Sequence, residues 1–178
     1  MVTPLEALLL AVALASAFGA MLLKDVLASV LAFAAYSLGI SLLWILLQAP
    51  DVALTEAAVG TGVMTILFLV TLARTVRPST DRLFETINPR TGLFVVAFVA
   101  LLGVSLPALP AIGDPAAPVV SYDVTQHYLA NAYDETGVQN AVTAVLAAYR
   151  GFDTLGEAVV VLTAGVVVFV VLRQEAFV

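Results

Sequence analysis

The sequence predicts an all-α integral membrane protein with five transmembrane helices and a short interfacial helix outside them. Three observations carry this. Of 178 residues, 62% are hydrophobic and 11% are charged, and the mean hydropathy is +1.07, whereas a soluble domain is only about half apolar. Seven Lys/Arg and thirteen Asp/Glu are too few to cover a water-exposed surface. The apolar residues also gather into stretches of about 20, the length needed to cross a bilayer as a helix.

Five such stretches occur in order. The first, Leu5 to Leu23, contains ALASAFGA, whose small residues are spaced like a signal-peptide cleavage site. The preceding MVTPLE carries Glu6 and no cation, opposite to the start of a secretory signal, so this stretch is expected to stay as a span. Lys24 and Asp25 then mark a tight turn, an expected solvated ion pair at the membrane surface. Val26 to Leu47 forms the second span and Val52 to Ala73 the third. The fourth runs from Leu93 to Leu109 and the fifth from Thr154 to Leu172. This divides the chain into a three-span unit (residues 1–74), an Arg-rich linker (75–92) and a two-span unit (93–178) with a long connection at 110–153.

Within that connection, PAIGDPAAPVVSYDVTQHY is rich in Pro, Gly and Asp and is expected to be irregular. His127 is then an ordinary surface residue. The following ETGVQNAVTAVLAAYR offers Thr136 as a cap and an apolar run from Asn140 to Tyr149 that is too short to span. It is expected to lie at the interface. Lys24, Arg74, Arg77, Arg82, Arg90 and Arg173 fall on one side of the spans and Arg150 on the other. The positive-inside rule therefore places the N-terminus outside, the C-terminus in the cytoplasm and the connection outside, in a cell (inner or plasma) membrane.

Several classes of chemistry are excluded or disfavoured. The chain has no cysteine and one histidine, so thiolate sites, disulfides and a zinc centre of its own are out of reach. No basic patch points to nucleic acid. No triad, metal-ligand motif or phosphate-binding glycine loop suggests an enzyme.

What remains is carboxylate chemistry inside the bilayer. Glu56, about 7 Å inside the third span if that helix starts near Asp51, costs about 3 kcal/mol to insert unless it faces protein, water or a partner. Such residues mark ion pathways by default. Asp51 sits at the interface beside Pro50, where a helix cap is the simpler role. After Glu56 come Ala57, Ala58, Gly60 and Gly62, interleaved with Thr55, Thr61 and Thr65. That small-residue face suits close helix packing, and the two glycines suit a local bulge or hinge. On the fifth span, Asp153 and Glu157 are four residues apart and so share one face; Asp153 could also cap that helix and pair with Arg150. An ion-carrying subunit and a structural subunit that docks partners both fit these features. So few polar groups make a stand-alone transporter hard to build.

Two strings narrow the choice. APDVALTEAAVGTGV (Ala49 to Val63) and ETGVQNAVTAVLAAYRGFDTLGEAVVVLTA (Glu135 to Ala164) resemble the C-terminal part of the large subunit of Mrp-type multisubunit cation/proton antiporters. They equally resemble the small paired D- and E-type membrane subunits of membrane-bound hydrogenases and related respiratory complexes. The resemblance covers most of the chain, with two family units joined and without the antiporter-like region that precedes them in the large subunit. It implies a fold similar to the five-helix small subunit of complex I, whose third helix can carry a π-bulge, here at Gly60, Thr61 and Gly62. It also implies a non-catalytic role beside antiporter-like and other small membrane subunits, with Na+ or H+ moving through carboxylates and no redox cofactor on this chain. The residues so implicated are Glu56 first, then Asp153 and Glu157; Asp51 and Lys24, at the span ends, are ion-route candidates from their positions. Thr55 and Thr61 are candidate ligands for a Na+ held transiently at Glu56.

Overall fold

A computed structural model describes residues 3–75 and 82–174; Arg77, counted above among the cations, lies outside them. The described residues form helices and no strand, and five helices are long and apolar enough to cross a membrane. The protein is a multi-pass, all-α membrane protein. It divides into two compact units, Met1–Val99 and Ala100–Val178.

In the first unit, α1 (Pro4–Leu22) opens with a capping box: Thr3 accepts from the Glu6 amide, and the Glu6 carboxylate accepts from the Thr3 amide. Each bond satisfies an amide that the helix itself cannot. Helix α2 (Val26–Leu46) is capped by Asp25, whose carboxylate accepts from the Ala28 amide at 2.9 Å. The expected Lys24–Asp25 ion pair is therefore corrected. Asp25 is committed to the helix start, and among the described residues the two side chains form no ion pair.

Helices α1 and α2 pack as a hairpin through small residues, with Ala13 buried and its Cβ lying 3.6 Å from where a Cβ on Gly39 would stand. Backbones approach this closely only where side chains are small, which is how membrane helices gain contact without a hydrophobic driving force. Main-chain bonds also tie Leu83 and Glu85, within the same unit, to this hairpin's turn: the Lys24 amide donates to Leu83 O and the Glu85 amide to Leu22 O.

The third span, α3 (Pro50–Arg74), follows a turn in which Gln48 takes a left-handed φ of 61°. Ala49 stands at its N-cap and Pro50 at N1. Asp51 is thus in the first turn, and its expected role as cap is corrected. The helix is α-helical over Pro50–Glu56, π-helical over Ala57–Met64 and α-helical again over Thr65–Arg74. Phe33 of α2 meets Phe68 of α3 edge to face, with ring centroids 6.2 Å apart.

Helix α4 (Pro89–Ser105) carries no buried residue, and a 3-10 turn (Leu106–Ala108) ends it. The connection beyond holds more helix than expected: α5 (Pro118–Ser121) and α6 (Asp123–Thr136). The irregular chain expected through Tyr128 therefore stops early, and His127 sits on a helix. Pro and Gly end at Pro118 in this stretch, and α6 contains neither residue. No side chain caps it at Tyr122, so nothing in the sequence announces its start.

Thr136 is the last residue of α6 rather than a cap. Gly137 follows with φ 72°, the left-handed conformation that ends helices at little cost to glycine. Asn140 caps the next helix, α7, by accepting from the Thr143 amide at 2.9 Å. This helix is α-helical over Ala141–Ala144 and π-helical over Val145–Tyr149.

Helix α8 (Gly151–Gln174) starts three residues before the expected Thr154, so Asp153 is inside its first turn and not its cap. The expected Arg150–Asp153 pair is present, with Nη2 and Nε each 2.6 Å from Oδ2. Thr154 donates to Leu146 O at 2.7 Å, so α7 and α8 are joined by a pair and a hydroxyl bond across Arg150. Both partners of the ion pair are more than half exposed, so water and salt screen it. Asp153→Asn is expected to lower the unfolding free energy by no more than about 1 kcal/mol, measured by denaturant or thermal unfolding.

Candidate functional site

Two serines of α2 organise the first unit's polar interior. Ser37 and Ser41 are one turn apart and face α3, with exposures of 0% and 3%. In an apolar span such hydroxyls need partners. Ser41 donates to Ala53 O at 2.7 Å, and Ser37 donates to Glu56 Oε1 at 2.5 Å. A step of four residues up α2 thus matches a step of three back along α3, as antiparallel packing requires. Glu56 itself is half-buried. Together the two serine bonds join α2 and α3 in this register, and the Ser37 bond holds the Glu56 carboxyl group in position.

The π-helical segment begins one residue after Glu56. Gly60, four residues on from Glu56, lies on the same face of the helix. A Cβ on Gly60 would lie 2.0 Å from Ser37 Oγ and 2.7 Å from Glu56 Oε1. Only glycine leaves room for the serine–carboxylate bond. Gly62 is different: a Cβ there would meet Ala57 O at 3.5 Å, an ordinary contact. Thr65, 8% exposed, donates its hydroxyl to Gly60 O at 3.2 Å and so supports the carbonyl side of the widened turn.

The sequence-derived threonines divide. Thr55 is exposed, and its hydroxyl lies 2.9 Å from Val52 O and 3.1 Å from Asp51 O, a local bond back along its own helix. Thr61 is half-buried, with its hydroxyl oxygen sheltered and without a hydrogen-bond partner among the described residues. Lys24 lies in the α1–α2 turn and Asp51 in the first turn of α3, both away from the serine contact in sequence. Asp153 and Glu157 belong to the second unit and are exposed on α8. Among the described residues no group of three or more His, Cys, Asp or Glu could hold a metal ion.

Sequence reasoning missed Ser37 and Ser41. The available signal was YSLGIS, two hydroxyls four apart in an otherwise apolar helix, which places both on one face. A second polar cluster was also missed, in the second unit. Tyr149 donates to Glu135 Oε2, and His127 Nε2 lies 3.4 Å from Glu135 Oε1. Tyr128 and Tyr149 stack with ring centroids 4.7 Å apart. This contact fastens α6 to the π-helical end of α7.

The Tyr149 hydroxyl, and after it His127, hold the Glu135 carboxyl below the usual carboxylate range. The carboxylate in turn pushes the Tyr149 phenol up to about 12. The depressed acid contributes stability above its unfolded value, lost as pH falls through the folded one. The raised phenol contributes below about 10, lost as pH rises through about 12. The fastening is therefore intact across neutral pH. Tyr149→Phe is expected to speed amide exchange in α6 at neutral pH and to leave it unchanged in strong acid, where wild type has already lost the contact.

Both units have counterparts among known proteins. Residues 11–77 match the MbhD family of MBH subunits, and residues 89–176 match the MbhE family. Antiporter subunit mnhA2 of Staphylococcus haemolyticus is 32% identical over 137 residues, 76% of this chain and 16% of the relative. The protein of that name from Staphylococcus epidermidis is 30% identical over 173 residues, 97% of this chain and 20% of the relative. Na(+)/H(+) antiporter subunit A1 of Staphylococcus haemolyticus is 29% identical over 171 residues, 94% of this chain and 20% of the relative. The chain thus spans a fifth or less of the length of these relatives.

Proposed function

We propose, because this chain belongs to the Mrp-type antiporter subunit family as a region joining a D-type to an E-type module, that it is a non-catalytic membrane subunit in which Glu56 exchanges H+ for Na+. The single observation that carries this reading is the bond from fully buried Ser37 to Glu56 beside a π-helical turn. A carboxylate inside a span is costly, and π-bulges recur at functional sites. Here the acid is held by a hydroxyl from the neighbouring helix rather than left to lipid.

Na+ is a hard cation that prefers oxygen donors, like the other hard cations. The Glu56 carboxylate supplies the charge, and the sheltered Thr61 hydroxyl is the next candidate ligand. Asp153 and Glu157, at the start of the fifth span, are proposed as acids at the entry of an ion route through the assembled complex, with Asp51 and Lys24 at span ends. Moving one charge through 100 mV is worth about 2.3 kcal/mol, within the range of a hydrogen bond to a charged group. Local rearrangement at Glu56 is therefore on the energy scale of the membrane potential.

The partners proposed are antiporter-like and small membrane subunits. The apolar surfaces of α4 and α8 support this, since among the described residues neither span has a buried residue. The N-terminus outside and the C-terminus in the cytoplasm remain the proposed orientation.

Those same faces favour a second reading, in which the chain only docks other subunits. The two readings separate in one reconstituted complex. Ion carriage requires that Glu56→Gln lose exchange. Docking alone requires that exchange survive Glu56→Gln and that disruption of the small-residue face prevent assembly.

A further inference from the structure

We infer that residues 82–88, pinned across the α1–α2 turn, form a docking surface for anionic phospholipid. Leu83, Phe84 and Ile87 enter the boundary between headgroups and acyl chains, and the cations around them meet the headgroups. This surface is independent of what Glu56 carries.

Two main-chain bonds fix the segment at one end of the spans. The Lys24 amide donates to Leu83 O at 3.0 Å and the Glu85 amide to Leu22 O at 2.8 Å, so the chain crosses where α1 ends and α2 begins. Helix α3 runs antiparallel to α2 and ends at Arg74, at the same end of the unit. Arg90 follows the segment, in the first turn of α4. Leu83, Phe84 and Ile87 are 77%, 59% and 59% exposed. Held where spans leave the hydrocarbon, these side chains meet water unless lipid covers them, and burial of apolar area is what draws an interfacial segment into the headgroup–acyl boundary. The charges decide which lipid. Lys24, Arg74, Arg82 and Arg90 are exposed, and among the described residues none of them is in an ion pair. Asp25 and Glu85 are the described acids at this end, and Asp25 is occupied in capping α2. Four cations against two acids leave the surface positive, and clusters of Lys and Arg flanking a span attract anionic headgroups. Their long stems can lie along the apolar side chains while the charged heads reach phosphate. A docked protein would cover the same apolar residues without a preference for anionic lipid.

The chain has no cysteine, so Thr86→Cys takes a single bimane label between Phe84 and Ile87. The labelled full chain is reconstituted into bilayers of phosphatidylcholine and phosphatidylglycerol in which one lipid or the other is brominated. Quenching then gives the relative association of the two lipids with the segment. The preference for phosphatidylglycerol at low salt is expected to be about fivefold, the factor that one Lys or Arg supplies near an anionic surface. It is expected to fall as salt is raised, as attraction between exposed charges does. Arg82→Gln combined with Arg90→Gln is expected to lose most of the preference while brominated lipid of either kind still quenches, because the apolar side chains remain. Should that variant not fold, the salt titration of the otherwise unsubstituted chain decides by itself. Equal association of the two lipids at low salt overturns the inference, as does a preference that high salt leaves unchanged. A label quenched by aqueous iodide and not by brominated lipid overturns it too, since the segment would then stand in water. So does a label that neither quencher reaches, which protein would be covering.

Discussion

Glu56→Gln is expected to slow Na+/H+ exchange by the assembled complex about a hundredfold or more, the scale on which a positioned proton-transfer group contributes, while the complex still assembles. The asymmetry between transport and assembly follows from the local geometry. Glutamine keeps the length and shape of glutamate, and its carbonyl oxygen can still accept from Ser37 Oγ, which lies 2.5 Å from Oε1 in wild type. Burial and packing are retained. What is lost is the ability to take up and release a proton and to offer negative charge to a cation. Ion flux into proteoliposomes, with assembly checked by size-exclusion chromatography, reads both outcomes. Normal flux would mean that the carboxylate serves packing alone.

Gly60→Ala is expected to destabilise the α2–α3 contact by about 1–3 kcal/mol, the usual cost of overpacking a filled interior, and Gly60→Leu to prevent assembly. The added Cβ would stand 2.0 Å from Ser37 Oγ and 3.1 Å from Ser37 Cβ. Turning the serine rotamer away would relieve the clash with Oγ but not the tight approach to Ser37 Cβ, and it would break the bond to Glu56. Gly62→Ala is the control. Its Cβ meets only Ala57 O at 3.5 Å, and alanine is the better helix former by about 1 kcal/mol. That variant is expected to unfold at or above the wild-type temperature. Equal destabilisation at both glycines would show that the π-helical segment tolerates no side chain anywhere, and that Gly60 has no special relation to Ser37.

The spans were legible because the bilayer imposes a length, and about 20 apolar residues in a row have few other uses. Their ends were less so. Apolar counting starts the third span at Val52, the fourth at Leu93 and the fifth at Thr154. The helices begin at Pro50, Pro89 and Gly151, because proline suits the first helical position and first turns are often polar. Glu56 stood out as charge among lipid-soluble residues. Ser37 did not, because a serine inside an apolar run gives no sign of which neighbour it faces until the neighbouring helix is placed. The π-helical turn was signalled by Gly60 and Gly62 and by the family resemblance, but closely spaced glycines suit helix packing equally well, so composition alone leaves the two uses open. Helix α6 was hidden by the Pro- and Gly-rich chain before it and by the absence of a capping side chain.

In the proposed exchange cycle a protein-held carboxyl in the third span trades its proton for Na+. Its most direct test is mass-spectrometric quantification of the adduct that an apolar carbodiimide forms with protonated Glu56 in the intact complex, as Na+ is raised at fixed pH and ionic strength. The expected result is labelling at Glu56 that falls in a saturable way with Na+ and is unaffected by choline. Labelling that is indifferent to Na+, or an adduct formed just as readily by a water-soluble carbodiimide, would contradict the account.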